Sequence, residues 1–243
     1  MPTLLDSGRI VFPGPTLSVR ESAERCNFGF PLSLRQFLNT PTPGCPFPEC
    51  VRIHIKVLQA PNVPIETSLK AMQRVYSTAS IRVEVGSRED LTGPAFSTLL
   101  DTNVGPCTGT QSVTTAQQTL FSNNANVGPN DVAVYFIRTV IQQVTPTSTA
   151  LLSGCAGPLS ARSAVIAQAS SRWTLAHEVG HVLGLNHISG ENTGCPASTP
   201  NCCSTPDFTR IMTGCGTAKI TGIPTVTAGE RSTMKSSSLS QTC

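Results

Sequence analysis

The chain of 243 residues contains little charge. Asp, Glu, Lys and Arg make up only 13% of it, and the net charge is +3. The usual charged share of a soluble domain is about twice as large. Because the basic residues form no cluster along the sequence, composition predicts no nucleic-acid partner. The sequence also lacks any run of about 18 apolar residues, so no transmembrane helix is expected.

The sequence contains no Cys-x-x-Cys pair, which is the usual signature of a structural zinc site. It nevertheless has ten cysteines, an even number, spread along the chain. Ten cysteines with so few charges predict about five disulfides and an oxidising, extracellular compartment. The N-terminal residues, MPTLLDSGRIVFPGP, do not have the pattern of a signal peptide. The alternative is a structural zinc site built from the last cysteines before the C-terminus: Cys195, Cys202, Cys203 and Cys215.

The apolar pattern predicts a mixed α/β or α+β architecture. Residues 1–50, rich in Pro and Gly with three cysteines, predict an N-terminal extension or pro-segment. VRIHIKVL, starting at Val51, alternates like a half-buried strand, which would leave His54 on a solvated polar face. A helix is predicted between this strand and the next, and this order favours a parallel crossover. Strands are also predicted near 131–140 and 163–168, with helices over 115–121 and 172–184. A capping box at Thr227 predicts a last helix.

Histidine is scarce, and three of the four histidines lie in TLAHEVGHVLGLNH, residues 174–187. His177 and His181 are four positions apart, so they lie one turn apart on one face of the predicted helix. Gly184 ends this helix at little cost, because glycine readily adopts the left-handed conformation. The chain can then turn back and bring in His187. Three neutral imidazoles would bind Zn²⁺ and leave a fourth position for water.

Glu178 follows the first of these histidines directly and would lie beside the ion. Zinc lowers the pKa of a bound water toward about 7. Glu178 could accept that proton as general base, while the metal holds the oxyanion that develops. The spacing therefore predicts metal-assisted hydrolysis of an amide. Histidines that merely pack within a helix would explain neither the spacing nor the Glu and Gly residues.

The segment HEVGHVLGLNH resembles the zinc signature of the metzincin clan of metallopeptidases. The clan also has a Met-turn, a methionine beneath the zinc, and RIMTGCG is similar to that stretch. Met212 is the candidate by this resemblance. Met234 is the less favoured alternative, because it lies in the predicted last helix.

The resemblance implies an α+β fold. A mixed twisted sheet with two long helices would lie above the cleft, and an irregular, disulfide-rich lower subdomain would end in a helix. It implies a catalytic domain over 51–243, with an upper subdomain at 51–187 and a lower subdomain at 188–243. The strand around Ser163–Gln168 would be the sheet edge that pairs with an extended substrate by β-augmentation. A secreted zinc endopeptidase that acts on peptides or proteins is therefore expected, with no membrane insertion.

The resemblance does not place the chain in one family of the clan. Ile188 follows the third histidine, where astacins have Glu, adamalysins Asp, serralysins Pro, and matrixins often Ser or Thr. Gly214 stands where astacins and serralysins have the tyrosine of a Met-x-Tyr pattern. Archaemetzincins have a cysteine directly after the third histidine, which this chain lacks. HEVGHVLGLNH is somewhat similar to the pappalysin signature.

Other interpretations of the chain stay open at the level of sequence. Cys26 is the only counterpart of the latency cysteine of matrixins, although a disulfide is its plainer role. A catalytically silent binding protein on the same scaffold is an alternative, against which the intact Glu178 argues. A zinc hydrolase of a non-peptide amide is another. No dense acidic loop indicates a calcium site.

Overall fold

The computed structural model describes residues 47–105, 107, 113–145, 147–191 and 206–243, and the backbone of residues 3–4 and 10–11. Two short strands, β1 (Thr3–Leu4) and β2 (Ile10–Val11), pair antiparallel. The following elements are, in chain order, β3 (Glu49–Val57), α1 (Ile65–Thr78), β4 (Ile81–Asp90), α2 (Pro94–Ser97), β5 (Asp101–Val104), α3 (Thr115–Phe121), β6 (Val132–Ile137), β7 (Thr139–Thr145), β8 (Ser148–Leu152), β9 (Gly154–Ala156), β10 (Ser163–Ala167), α4 (Thr174–Val182), α5 (Ala228–Ser236) and β11 (Gln241–Thr242).

The main sheet is mixed and has the strand order β4-β3-β6-β10-β9. The first four of these strands are parallel, and β9 runs antiparallel to β10. β11 pairs antiparallel with the start of β3. After His187 the described chain is irregular except for a short 3-10 turn, α5 and β11. The α+β prediction is therefore confirmed, including the parallel crossover β3–α1–β4.

The prediction that Ser163–Gln168 forms the sheet edge is wrong. That segment is β10, which lies between β6 and β9. On this side of the sheet the edge strand is β9, whose three residues pair with Ala164–Ile166 on one side only within the described part of the chain. A three-residue strand with the sequence Gly-Cys-Ala has neither the length nor the β-branched residues that produce a recognisable pattern.

The prediction that β3 is half-buried, with a solvated His54, is also wrong. His54 is buried between Asp131 and Ser87, with Nε2 2.9 Å from the Asp131 carboxylate and Nδ1 2.8 Å from the Ser87 hydroxyl. Lys56 is fully buried and forms an ion pair with Glu89 at 2.8 Å. Buried polar groups must be hydrogen-bonded or paired, and both are. On the polar face of β3, His54 and Lys56 therefore face protein, whereas Arg52 is exposed.

A second layer covers this face of the sheet. It consists of α3 and a three-stranded sheet with the order β5-β7-β8, in which β5 and β7 are parallel. A second apolar cluster fills the space between the layers and includes Leu120, Tyr135 and Val165. The sequence predicted α3 with its observed bounds but did not predict the β7–β8 hairpin.

The opposite face carries the larger apolar core, formed by α1, α4 and the described lower region. The predicted apolar face of α1, including Leu69, Met72 and Tyr76, is buried there. The Tyr76 hydroxyl donates to the backbone carbonyl of Ala176 at 2.9 Å, which fixes α1 to α4. Within the described chain, no helix has the length and hydrophobicity to cross a bilayer.

Disulfides fix two ends of the sheet. Cys50 in β3 is bonded to Cys243, and Cys107 is bonded to Cys155 in the edge strand. Cys215 is also disulfide-bonded. Because a disulfide sulfur provides no thiolate, the alternative of a zinc site that includes Cys215 is wrong.

The other five cysteines, Cys26, Cys45, Cys195, Cys202 and Cys203, lie outside the described residues, as does the suggested Cys26 switch. The proposed boundary between residues 50 and 51 stays a prediction, although β3 already begins at Glu49.

The tight contact between β4 and the buried His54 gives a stability prediction. A Cβ atom added at Gly86 would lie 2.5 Å from His54 Nε2. We expect Gly86→Ala to destabilise the fold by about 1–3 kcal/mol, because such crowding displaces a buried, hydrogen-bonded ring. Urea unfolding measures this. Gly229→Ala in α5 is the control, since nothing lies within 4 Å of its added Cβ. Equal stabilities of the two variants would contradict the packing argument.

Candidate metal centre

The structure brings the three predicted histidines together. The Nε2 atoms of His177 and His181 are 3.1 Å apart, and that of His187 lies 3.2 Å and 3.1 Å from them. Within the described residues, these three form the only group of His, Cys, Asp or Glu side chains with metal-binding geometry. The fourth histidine, His54, lies in β3 and contacts Asp131 and Ser87, and it has no part in this group.

Backbone carbonyls fix the tautomers of two rings. His177 Nδ1 lies 2.7 Å from the carbonyl oxygen of Ile211, and His181 Nδ1 lies 2.7 Å from that of Leu185. A carbonyl oxygen can only accept, so each Nδ1 carries the hydrogen. In the neutral ring, each Nε2 is then a lone-pair acceptor. Such a partner for the second ring nitrogen is what orients metal-binding histidines.

The contact between His177 Nε2 and His181 Nε2 cannot be a hydrogen bond, because both atoms are acceptors. Lone pairs this close repel each other unless a cation lies between them. Ligand nitrogens in a tetrahedral zinc site, with Zn–N distances of about 2.0–2.1 Å, lie roughly 3.3 Å apart. The observed spacing of 3.1–3.2 Å agrees with that. The three residues therefore fit a zinc ion.

All three rings are in the neutral form that binds a metal. Burial, together with repulsion from the other two rings, holds the pKa of His177 well below its usual range. Burial lowers the pKa of His181 to about 4, and it also lowers the pKa of His187. No proton therefore has to be displaced from these imidazoles at neutral pH when a metal binds.

The end of α4 follows the predicted pattern. The helix ends at Val182, and Gly184 has a left-handed φ of 97°. The amide of Leu185 donates to the carbonyl of Gly180 at 3.0 Å, which closes the last turn. Because the chain reverses here, the Leu185 carbonyl can reach His181 and His187 can return to the helix.

Glu178 lies under the edge strand. It is buried, and the backbone N–H of Ala156 at the end of β9 donates to its carboxylate. A Cβ atom added at Gly154 would lie 2.7 Å from Glu178 Cγ, so only glycine leaves room for this side chain. Burial raises the pKa of Glu178 to about 8. A metal ion beside the carboxylate would oppose that rise.

Met212 lies beneath α4. It is fully buried, and its sulfur is 2.8 Å from the position of a Cβ atom added at Gly180. Its carbonyl accepts from the amide of Ile188 at 3.1 Å. Gly214 packs against His187, since an added Cβ would lie 3.2 Å from the ring. Met234 is buried in α5.

Three residues that contribute to the site were not recognised in the sequence. Gly154 and Ala156 contact Glu178 from an edge strand with no recognisable pattern. Glu191 lies four residues after His187 and contacts the segment around Met212. The only sequence signal for Glu191 is that it lies four residues after the third histidine. Its hydrogen-bond partners follow it by 16–23 residues, so no local pattern connects them.

Comparison with known proteins gives one family match and several weak structural similarities. The family model described as Metallo-peptidase family M12B Reprolysin-like matches residues 62–242. No curated protein matches the chain. Metalloproteinase-II from Bacteroides fragilis is 13% identical with a TM-score of 0.43, over 82% of this chain and 59% of that one.

Two archaemetzincins are similar to the chain as well. The protein from Methanopyrus kandleri is 14% identical with a TM-score of 0.43, over 76% of this chain and 93% of that one. The protein from Archaeoglobus fulgidus, in complex with malonate, is 14% identical with a TM-score of 0.41, over 75% and 99%. With TM-scores below 0.5, these likenesses constrain neither fold nor function.

The geometry of the centre predicts binding of one metal ion per chain. Purified protein reloaded with Zn²⁺ should contain about one equivalent, and His181→Ala should lose tight binding because two nitrogens remain of three. Elemental analysis after gel filtration measures this. His54→Ala is the control, since its ring contacts Asp131 and Ser87 and none of the three clustered histidines. Full zinc retention in folded His181→Ala would contradict the assignment.

Proposed function

Because the chain belongs to the reprolysin-like metallopeptidases of family M12B, we propose that it is a zinc-dependent endopeptidase. His177, His181 and His187 would hold the zinc, and Glu178 would be the general base. The observation that carries the proposal is the convergence of three Nε2 atoms within 3.2 Å, beside a buried carboxylate. The match to a metallopeptidase family agrees with the sequence resemblance but does not point to the pappalysins.

The chemistry divides between the metal and the chain. Bound zinc would supply a Lewis acid for the scissile carbonyl and would activate a water. Glu178 would take the proton from that water and return it to the leaving amine. The low polarity that raises the pKa of Glu178 favours this proton uptake, and the N–H of Ala156 keeps the carboxylate in place between transfers.

The edge strand supports a peptide as substrate. Gly154 and Ala156 contact Glu178, and no described strand pairs with the outer side of β9. An extended peptide added along this side would bring a backbone amide next to the base, with chain continuing in both directions. This geometry favours cleavage within a chain over cleavage at its end.

We also propose that the protein acts outside the cell. Cys50–Cys243, Cys107–Cys155 and the disulfide of Cys215 require oxidising conditions to form and persist. Cys107–Cys155 holds the edge strand next to Glu178, so the site itself depends on an oxidised thiol pair.

Replacement of Glu178 tests the mechanism. Glu178→Ala should retain one zinc per chain and lose roughly 10²- to 10⁴-fold in kcat/KM on a peptide, because the base is gone and the ligands remain. Cleavage of a diverse peptide library, with zinc analysis of the same samples, measures both quantities. Glu66→Ala, which removes a half-exposed partner of Arg88, is the control.

Unchanged turnover in Glu178→Ala would contradict the assignment. Wild-type protein that binds zinc but cleaves no peptide would favour a silent binding protein or a non-peptide substrate.

Crowding Glu178 from the edge strand is a second test. In Gly154→Ala, the added Cβ would lie 2.7 Å from Glu178 Cγ and 2.8 Å from Oε1, so the carboxylate must move. Misplacement of a catalytic group by about 1 Å can cost about a hundredfold in rate, and we expect a loss of that order in kcat with zinc retained. Gly157→Ala is the matched control, because its Cβ would crowd Phe121 instead. Equal kcat values for the two variants would contradict the role of Gly154.

A further inference from the structure

A further buried carboxylate lies near the metal centre and has no part in the mechanism above. Glu191, four residues after His187, is 2% exposed. Its Oε1 accepts from the Asp207 amide at 2.9 Å and from the Thr213 hydroxyl at 2.8 Å. Its Oε2 accepts from the Gly214 amide at 2.7 Å. Burial of a carboxylate is costly, and short, charge-assisted bonds such as these offset that cost.

Two of these donors, Thr213 and Gly214, belong to the segment Ile211–Gly214, here termed the Met-turn segment. This segment contacts two of the three histidines. Its Ile211 carbonyl accepts from His177 Nδ1, and Gly214 packs against the ring of His187. The carbonyl of Met212 accepts from the amide that follows His187. A shift of the Met-turn segment would therefore move both His177 and His187.

We propose that Glu191 is a positioning residue that clamps the Met-turn segment against the metal-binding histidines. The proposal rests on the proposed zinc function of the site. Glu191 acts on the histidines through the Met-turn segment, by its bonds to Thr213 and Gly214. Its negative charge also acts directly on His187, whose pKa it raises against the effect of burial. Glu191 follows His187 by four residues, and its carboxylate accepts from the amide of Gly214. Gly214 in turn packs against the ring of His187, so the contacts connect the two residues a second time.

The clamp requires a carboxylate rather than any polar side chain. Both oxygens of Glu191 accept, one from the Gly214 amide and the other from two donors. Glutamine has one acceptor oxygen and an amide nitrogen that only donates. In either orientation, Glu191→Gln places that nitrogen against a donor, so part of the clamp is lost while the volume of the side chain is kept.

Zinc release from Glu191→Gln is the test. Removal of a partner that orients metal ligands typically costs 10- to 100-fold in affinity or activity. We expect zinc release to a colorimetric chelator to become about 10- to 100-fold faster than in wild type. In zinc-saturated samples we expect kcat on a peptide to fall while KM changes little, because the residue touches no substrate.

Asp131→Asn is the matched control. Asp131 is also a buried carboxylate and accepts from the Gly128 amide, His54 and Gln241, but on the other face of the sheet. It should lose stability without faster zinc release. If Glu191→Gln releases zinc at the wild-type rate, or no faster than Asp131→Asn at equal thermal stability, the positioning role is overturned.

A second variant covers the case in which Glu191→Gln does not fold. Thr213→Val removes one hydroxyl donor to Oε1 and leaves the carboxylate in place, so a smaller acceleration of zinc release is expected. Wild-type zinc release in Thr213→Val would then overturn the inference. Wild-type protein that takes up no zinc would refute the proposed function itself, whereas a normal wild type with an unaffected Glu191→Gln variant refutes only the clamp.

Discussion

The Nε2 atoms of His177 and His181, each with a lone pair, lie 3.1 Å apart. The surrounding structure depends on this close approach. His177 and His181 can face each other in this way only if their Nδ1 hydrogens are directed elsewhere and a cation compensates the repulsion. The two carbonyl oxygens that accept the Nδ1 hydrogens come from different parts of the chain. The Leu185 carbonyl comes from the reversal after α4, and the Ile211 carbonyl comes from the Met-turn segment. The helix end and the lower region must therefore both be placed to within a fraction of an ångström for the nitrogens to converge.

The two-sided burial of the sheet supplies a rigid frame for this placement. α4 packs against α1 and against the strands β9 and β10 within one apolar core, and the bond from Tyr76 to Ala176 adds a fixed point. The second layer holds the sheet from the other side, and through Cys107–Cys155 it is bonded to the edge strand. Because close-packed interiors transmit strain rather than absorb it, the position of β9 relative to Glu178 is set by packing on both faces.

The sequence predicted those parts of the molecule whose signals are local. The periodicity of α1, the capping box at Thr227 and the spacing of the histidines each lie within a short stretch of the chain. The second layer could not be predicted in this way. The alternation in β3 is the same whether one face or both are covered, and the partners that allow burial of His54 and Lys56 are Asp131 and Glu89, far along the chain. The true edge strand was missed because three residues carry no period, and the role of Glu191 depends on donors that only the fold brings near.

Two buried carboxylates, Asp131 and Glu178, differ in their hydrogen-bond donors and in the depth at which they lie. Burial opposes the ionised form of Asp131, but the bonds from His54, Gln241 and Gly128 hold its pKa below the usual value. Asp131 therefore stays ionised at neutral pH, because the protein supplies it with several hydrogen-bond donors. Glu178 lies deeper in the protein, Ala156 is the one hydrogen-bonding group that acts on its pKa, and burial raises that pKa to about 8. Of these two carboxylates, the one beside the histidines is therefore the one able to exchange a proton near neutrality, because the edge strand gives it enough contact to be held and too little to be fixed in the ionised form.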